Sequence, residues 1–433
     1  MFEYLYPLIL GSLAGVFAGL MPGIGNFICL IIMMPLLWNM NPLEILIVYV
    51  GLVSISQYVA SVPATVLGLV SEPSSMPVVS ESSKLTTTEM ISNSISGAAL
   101  GSFFGSMVVV ILCYLFHPQL IKIFTLYSTG IQVMVLVLVV VIVCFVNQEP
   151  IWQNYLQIFC GLILGLVGYN SILHTPILTF GNVHLFGGLP IVIVVIMLFG
   201  LPQICQNYNS KLKNKIKISE ILVKSPSRYP SIISSFFYSV VGFIGGLVPG
   251  LTNILSSKMA YFFSTKFTSD PVKRIWASET ANNAGAFSQL LPLIMLGIPL
   301  TTSEAFLINL IEVKGLTFHL SSLADIITIV SYHLVIINLI GLIIAWPMAK
   351  YLLYFFHMPL KYFYIFISFV LISCIFYIGW INNAITFHIL CFFIFLPIFY
   401  LLRNKNTMPL IFGFLIADQL FSSFYRLYFL ITF

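Results

Sequence analysis

Asn282 and Asn283 stand side by side in a polar stretch that runs from Ser278 and Glu279 to Ser288 and Gln289. Each amide offers one carbonyl acceptor and two N–H donors, so adjacent amides can coordinate a cation and hold a carboxylate together. Ser56, Gln57, Ser61 and Thr65 offer similar groups shortly before a Glu-Pro-Ser-Ser run at 72–75, and Thr301 and Ser303 follow Gly297-Ile298-Pro299. Hydroxyls and amides are cheaper to bury than charges, yet they can replace the hydration shell of an ion or a polar solute. The bland alternative is a water-exposed loop, or polar contacts that tie helices together. We take Ser56, Gln57, Ser61, Thr65, Asn282, Asn283, Thr301 and Ser303 as candidate substrate-binding residues, and Asn282, Asn283 and Ser288 as candidate cation ligands.

A second group of candidates is made of backbone. Pro22-Gly23 and Pro249-Gly250 each interrupt an apolar run, and each is followed three residues on by an asparagine, Asn26 or Asn253. Proline removes an N–H and clashes with the preceding turn, so the helical ladder must fail there. In a bilayer an unpaired backbone group costs several kcal/mol, and irregular backbone survives only when buried or lining a wet cavity. Carbonyls freed at the break can hold a cation, and amides at the start of the next helix can hold an anion. One Pro-Gly alone reads as a kink. Two at matched places read as a site, which adds Gly23, Asn26, Gly250 and Asn253 to the candidates.

The elements that carry these residues lie in a membrane. Of 433 residues 59% are hydrophobic and 7% charged, with a mean hydropathy of +1.05, whereas a soluble domain needs about 25% charged residues. At roughly 20 apolar residues per span, the sequence predicts ten to thirteen membrane segments. Expected spans include Leu43 to Val59, Ile91 to Phe116, Leu156 to Tyr169 and Ala284 to Ile311, with Leu5 to Trp38 broken at Pro22-Gly23. Lys211, Lys213, Lys215, Lys217, Lys224 and Arg228 crowd one short loop. Such loops stay in the cytosol, and a brief basic cluster between apolar spans argues against nucleic-acid binding. The seven cysteines are scattered singly, and no phosphate-binding loop, clustered metal ligands or nucleophile–base pair is present. No enzyme and no cofactor is expected.

The chain also repeats itself. Gly15, Gly19, Pro22, Gly23 and Asn26 recur as Gly242, Gly246, Pro249, Gly250 and Asn253, a constant offset of 227 (242 − 15). Pro63, Leu67 and Gly68 recur as Pro292, Leu296 and Gly297, an offset of 229 (292 − 63). The basic loop falls between the copies. The expected architecture is an all-α integral membrane protein with one membrane repeat over 1–205, a basic cytosolic linker over 206–229 and a second membrane repeat over 230–433. Paired broken helices point to inverted repeats with re-entrant segments.

These motifs resemble the large membrane subunit of the tripartite tricarboxylate transporters, the TctA-type permeases. The glycine-rich helix ending at Pro22-Gly23 is similar to that family's Leu-Pro-Gly-like turn. Glu279-Thr280-Ala281-Asn282-Asn283-Ala284, followed by Pro292-Leu293 and Leu296-Gly297-Ile298-Pro299, is similar to its second signature. The family's glycine after Ile-Pro is Leu300 here. Similarity in order and spacing covers about residues 10–320. The resemblance implies a subunit of a secondary active transporter in the inner membrane, importing a small organic anion of the di- or tricarboxylate class with Na⁺ or H⁺ coupling. It also implies a periplasmic solute-binding protein and a small membrane subunit as partners. A glycan flippase or polymerase and a membrane scaffold that transports nothing are the rival classes.

Overall fold

The computed structural model describes residues 4–125, 128–146, 149–170, 173, 175–208, 231–248, 252–312, 323–357 and 360–432. The chain begins with α1 (Leu5–Leu20), α2 (Gly25–Leu37), α3 (Pro42–Leu67), a 3₁₀ turn at Pro73–Ser75, α4 (Met76–Ser82) and α5 (Thr88–Thr125). Next come α6 (Thr129–Val146), α7 (Ile151–Gly165), an antiparallel ribbon of β1 (Gly168–Asn170) and β2 (Thr175–Ile177), α8 (Ile191–Val195), a π-helical turn at Ile196–Gly200 and α9 (Leu201–Asn207). The second half holds α10 (Ile232–Gly246), α11 (Thr252–Phe267), α12 (Pro271–Ser288), α13 (Leu290–Leu296), α14 (Thr302–Glu312) and α15 (Leu323–Ala345). Then follow α16 (Ala349–Tyr354), α17 (Leu360–Ile381), α18 (Ile385–Leu402) and α19 (Met408–Thr432). Six described helices are long and apolar enough to cross a bilayer, and five shorter apolar helices accompany them. The chain is an all-α membrane protein with several membrane helices. The basic segment and Gly250 lie outside the described residues.

The Leu5–Trp38 segment is two helices, as its Pro-Gly requires. Contacts between α1 and α3 advance in step: Gly11 faces Val48, Gly15 faces Leu52 and Gly19 faces Ser56. The two helices therefore run parallel, so α2 must return from the break at Met21–Ile24. The break and the helices beside it make a helical hairpin. The same arithmetic holds later: Gly242 faces Ala281 and Gly246 faces Gly285, so α10 and α12 run parallel and α11 returns. At all four positions, Gly15, Gly19, Gly242 and Gly246, a Cβ would strike the neighbouring helix backbone, which is why close packing needs glycine there.

Two expected spans are redrawn. Ala284 to Ile311 is not one helix. The Asp270 side chain caps α12 by accepting from the Val272 N–H, the helix ends at Ser288, and α13 stops at Gly297. Gly297 takes φ 64° and ψ 22°, a left-handed conformation that a side chain resists, and the Ile298 N–H returns to the Pro292 carbonyl. The left-handed turn at Gly297 is a property of the backbone that hydropathy alone does not report. Leu156 to Tyr169 ends at Gly165 as a helix, and Gly168–Asn170 turns into β1.

Candidate functional site

Breaking a helix frees backbone groups, and at two of the described breaks their partners are visible. The Pro22 carbonyl accepts from the Tyr364 hydroxyl of α17 at 2.8 Å, and the Gly297 carbonyl accepts from Gln419 Nε2 of α19 at 2.7 Å. At the start of α14, Thr301 and Glu304 form a reciprocal capping box: the Thr301 Oγ1 accepts from the Glu304 N–H, and Glu304 Oε2 accepts from the Thr301 and Leu300 N–H groups. The acid at the start of that helix is therefore a cap.

Between the breaks lies a cavity of about 560 Å³. Gly23 and Asn26 reach it from the α1–α2 turn, and Thr252 and Asn253 from the first turn of α11. Ser71, Glu72 and Ser74 line it from the segment after α3, and Thr301, Thr302 and Ser303 from the segment after α13. Gln203, Gln206 and Asn207 of α9, with Asn406 before α19, stand near its more exposed end. Phe27, Phe199 and Phe412 are buried within its wall. No lysine, arginine or histidine lines it among the described residues, and Glu72 supplies its carboxylate.

Five of the residues taken from the sequence thus come together: Gly23, Asn26, Asn253, Thr301 and Ser303. The α3 candidates do not reach the cavity. Ser56, Ser61 and Thr65 return their hydroxyls to the carbonyls of Val53, Tyr58 and Ser61 in their own helix, at 2.7–2.9 Å. Gln57 acts one step back, its Oε1 accepting from the Ser74 hydroxyl at 2.8 Å. Asn282 and Asn283 are also buried away from this cavity. Asn283 donates to Ser102 Oγ of α5 at 2.7 Å, and Asn282 donates to Glu279 Oε2 at 3.4 Å. Ser288 donates to the Gly285 carbonyl. Those amides sit where α12 packs on α5, with Gly101 and Gly105 against Thr280.

Glu72 and Gln289 are the residues that sequence reasoning passed over. The Asn26 N–H donates to the Glu72 carboxylate. Four residues of this wall carry a buried oxygen without a partner: Asn26 Oδ1, Ser71 Oγ, Glu72 Oε1 and Gln289 Oε1. The signal was present in the Glu-Pro-Ser-Ser run, where an acid precedes a helix-starting proline inside an apolar chain.

Residues 5–412 match the Tripartite tricarboxylate transporter TctA family. The chain belongs to that family. An Agrobacterium vitis relative, described as "Uncharacterized 52.8 kDa protein in TAR-I ttuC' 3'region", is 25% identical over 317 residues, covering 71% of this chain. The aligned part spans 63% of that relative's length. No solved structure matches. Within this TctA family member, the cavity is lined by the α1–α2 turn, the start of α11 and the segments after α3 and α13, and it is the candidate functional site.

Proposed function

We propose that this chain is the membrane-embedded carrier subunit of a tripartite secondary transporter, importing a small organic anion of the di- or tricarboxylate class across the inner membrane. The observation that carries the reading is the convergence of both helix breaks on one polar cavity. Its volume lies within the range of small-molecule sites, and among the described residues its walls offer amides, hydroxyls and helix starts with no positive side chain. Delivery by a periplasmic solute-binding protein, a small membrane subunit and coupling to Na⁺ or H⁺ complete the proposal, and membership of a tripartite transporter family supports them.

The carrier works through two inverted repeats, over 1–205 and 230–433, joined by a basic cytosolic linker over 206–229. Three observations support this. Gly68 and Gly297, 229 residues apart (297 − 68), end α3 and α13 in the same left-handed conformation, and the Leu69 and Ile298 N–H groups both return to a proline carbonyl six residues back. The glycine contacts of α1 on α3 and of α10 on α12 correspond at the same offsets. Finally, α11 runs outward from the cavity alongside the segment from Ser74 to Glu81, through hydrogen bonds from Ser257 and Tyr261 that join the two repeats. Helix α12 runs back the opposite way.

In the present conformation the cavity opens toward the cytosol. Gln206 and Asn207 line it just before the chain enters the basic segment, and the basic Arg403 and Lys405 stand beside Asn406. At its other end Phe27 packs on Phe199 and Phe306, with ring centroids 5.1 and 5.8 Å apart. Beyond Phe306 is a second cavity of about 320 Å³, lined by Trp38, His184 and His388. The phenylalanine layer closes the route between the two.

Uptake of labelled di- and tricarboxylates into vesicles carrying this chain and its two partner subunits tests the proposal. Accumulation above that of empty vesicles, driven by an imposed ion gradient, is expected. Uptake no greater than in empty vesicles for every carboxylate would refute it.

A further inference from the structure

The cavity wall presents an electrostatic difficulty. A carboxylate solute entering it would meet the Glu72 carboxylate and, among the described residues, no lysine, arginine or histidine. Like charges in a low-dielectric site repel strongly, so Glu72 must be compensated when the solute is bound. The Asn26 N–H at the start of α2 occupies part of the carboxylate, and the positive end of that helix adds a fractional charge. Glu72 Oε1 is left over. It has no partner, although the residue is only 8% exposed.

The same cavity wall carries other oxygens without a partner. Ser71 Oγ, next along the chain, and Asn26 Oδ1, on the turn that touches Glu72, are buried without hydrogen bonds, and so is Gln289 Oε1 from the second half. Residue 25 is glycine at φ 60°, and a Cβ there would meet Glu72 Oε1 at 3.6 Å and nothing nearer, so the space beside that oxygen is open. Leaving several buried acceptors unsatisfied costs free energy that an ordinary fold avoids. An oxygen-only set suits a hard cation. One carboxylate among neutral oxygens matches one positive charge, because a divalent ion would leave a buried excess charge.

We propose that Glu72, Ser71 and Asn26 bind a sodium ion on the cavity wall, with Gln289 contributing from the other half. The ion cancels the Glu72 charge and presents a positive site to the incoming carboxylate, so it binds before the solute and raises its affinity. Linkage makes that effect reciprocal: bound solute tightens sodium by the same factor. The proposal deepens the carrier reading, but sodium binding itself is measurable without solute or transport.

The test uses the purified full chain in detergent, with NaCl compared against KCl and choline chloride at equal ionic strength. Ligand that binds only the folded state raises Tm in a saturable way. A saturable, sodium-selective rise is expected for the wild type. Glu72→Gln should abolish it, and Ser71→Ala should weaken the apparent sodium Kd by about tenfold or more. Should Glu72→Gln yield no folded protein, Ser71→Ala carries the same comparison. A Tm that responds equally to all three salts, or a sodium response unchanged in both variants, overturns the site. So does a response to pH in place of sodium, which would make Glu72 a proton carrier. If sodium binds as expected while no carboxylate is taken up in vesicles, the carrier reading fails and the cation site stands.

Discussion

At the scale of single residues, the same amide can be a ligand or a tie, and its neighbours decide which. Asn253 faces the cavity beside Thr252, whose hydroxyl donates to Asn253 Oδ1 at 3.1 Å. Asn283 spends a donor on Ser102 of the next helix. The two positions should therefore separate cleanly on mutation. Asn253→Ala removes a group from the cavity wall and should weaken solute affinity by about tenfold, the loss of one good hydrogen bond to a charged partner, with little change in Tm. Asn283→Leu should lower stability by about 1 kcal/mol, the scale of an interhelical hydrogen bond in membranes, and leave solute Kd unchanged. Solute titration monitored by Tm reads both quantities in one experiment. An Asn283→Leu protein with normal Tm and lost affinity would restore the asparagine pair to the site. The sequence brings the pair to notice because polarity in an apolar run is conspicuous, but it carries no record of Ser102, 181 residues away (283 − 102). Glu72 suffers the reverse fate: it looks like the acid before a proline, and its unpartnered oxygen exists only once α2 folds back beside it.

At the scale of elements, the breaks were readable and the surface contacts were not. Proline and glycine act on their own backbone, so Pro22-Gly23 announces a hairpin without any tertiary knowledge. Capping is equally local, and Asn41 with Glu44 forms the reciprocal box at the start of α3. The join between the two halves is a different matter. Glu81 of α4 is fully buried and accepts from Lys84 at 2.7 Å, from the Tyr261 hydroxyl of α11 at 2.6 Å and from Arg274 of α12 at 3.3 Å. Burial pushes its carboxyl up, but the hydrogen bonds from Lys84 and Tyr261, the Lys84 charge and the Arg274 hydrogen bond together hold it below its ordinary range. A carboxyl depressed in the folded state contributes stability that is complete above its unfolded value, about 4.3, and is lost as pH falls through the folded value. The wild-type protein should thus lose Tm as pH drops below about 4.3, over the window between those two values. Glu81→Gln should have a lower Tm near neutral pH and a flatter acid limb. Parallel acid limbs for the two proteins would show that this cluster does not couple α4 to α11 and α12.

At the scale of the whole molecule, a layer of aromatic rings lies between two cavities, and in the proposed carrier alternating access would have them open to opposite sides of the membrane. The larger cavity has Asn207 at its mouth, and the smaller has Trp38 on its wall. Single cysteines at these two positions report the side from which each cavity is reached. The background must first lose Cys160 and Cys205, which are exposed, while Cys29, Cys113, Cys144, Cys374 and Cys391 are buried. In intact cells a membrane-impermeant thiol reagent should modify Trp38→Cys and spare Asn207→Cys. In opened cells Asn207→Cys should react as well, because its cavity faces the side of the basic segment. Removing the barrier supplies the second half of the experiment. Phe306 contributes one ring to the layer, so Phe306→Ala should expose Asn207→Cys to the external reagent without opening the cells. Its ring is fully buried against Phe27, and its loss should also cost about 3 kcal/mol of stability, so labelling is scored per folded protein. The rate of external labelling then measures how completely three rings seal the route. Labelling of both cysteines from one side in the wild type, or an Asn207→Cys that stays shielded in Phe306→Ala, would place the barrier elsewhere and detach the second cavity from the transport path.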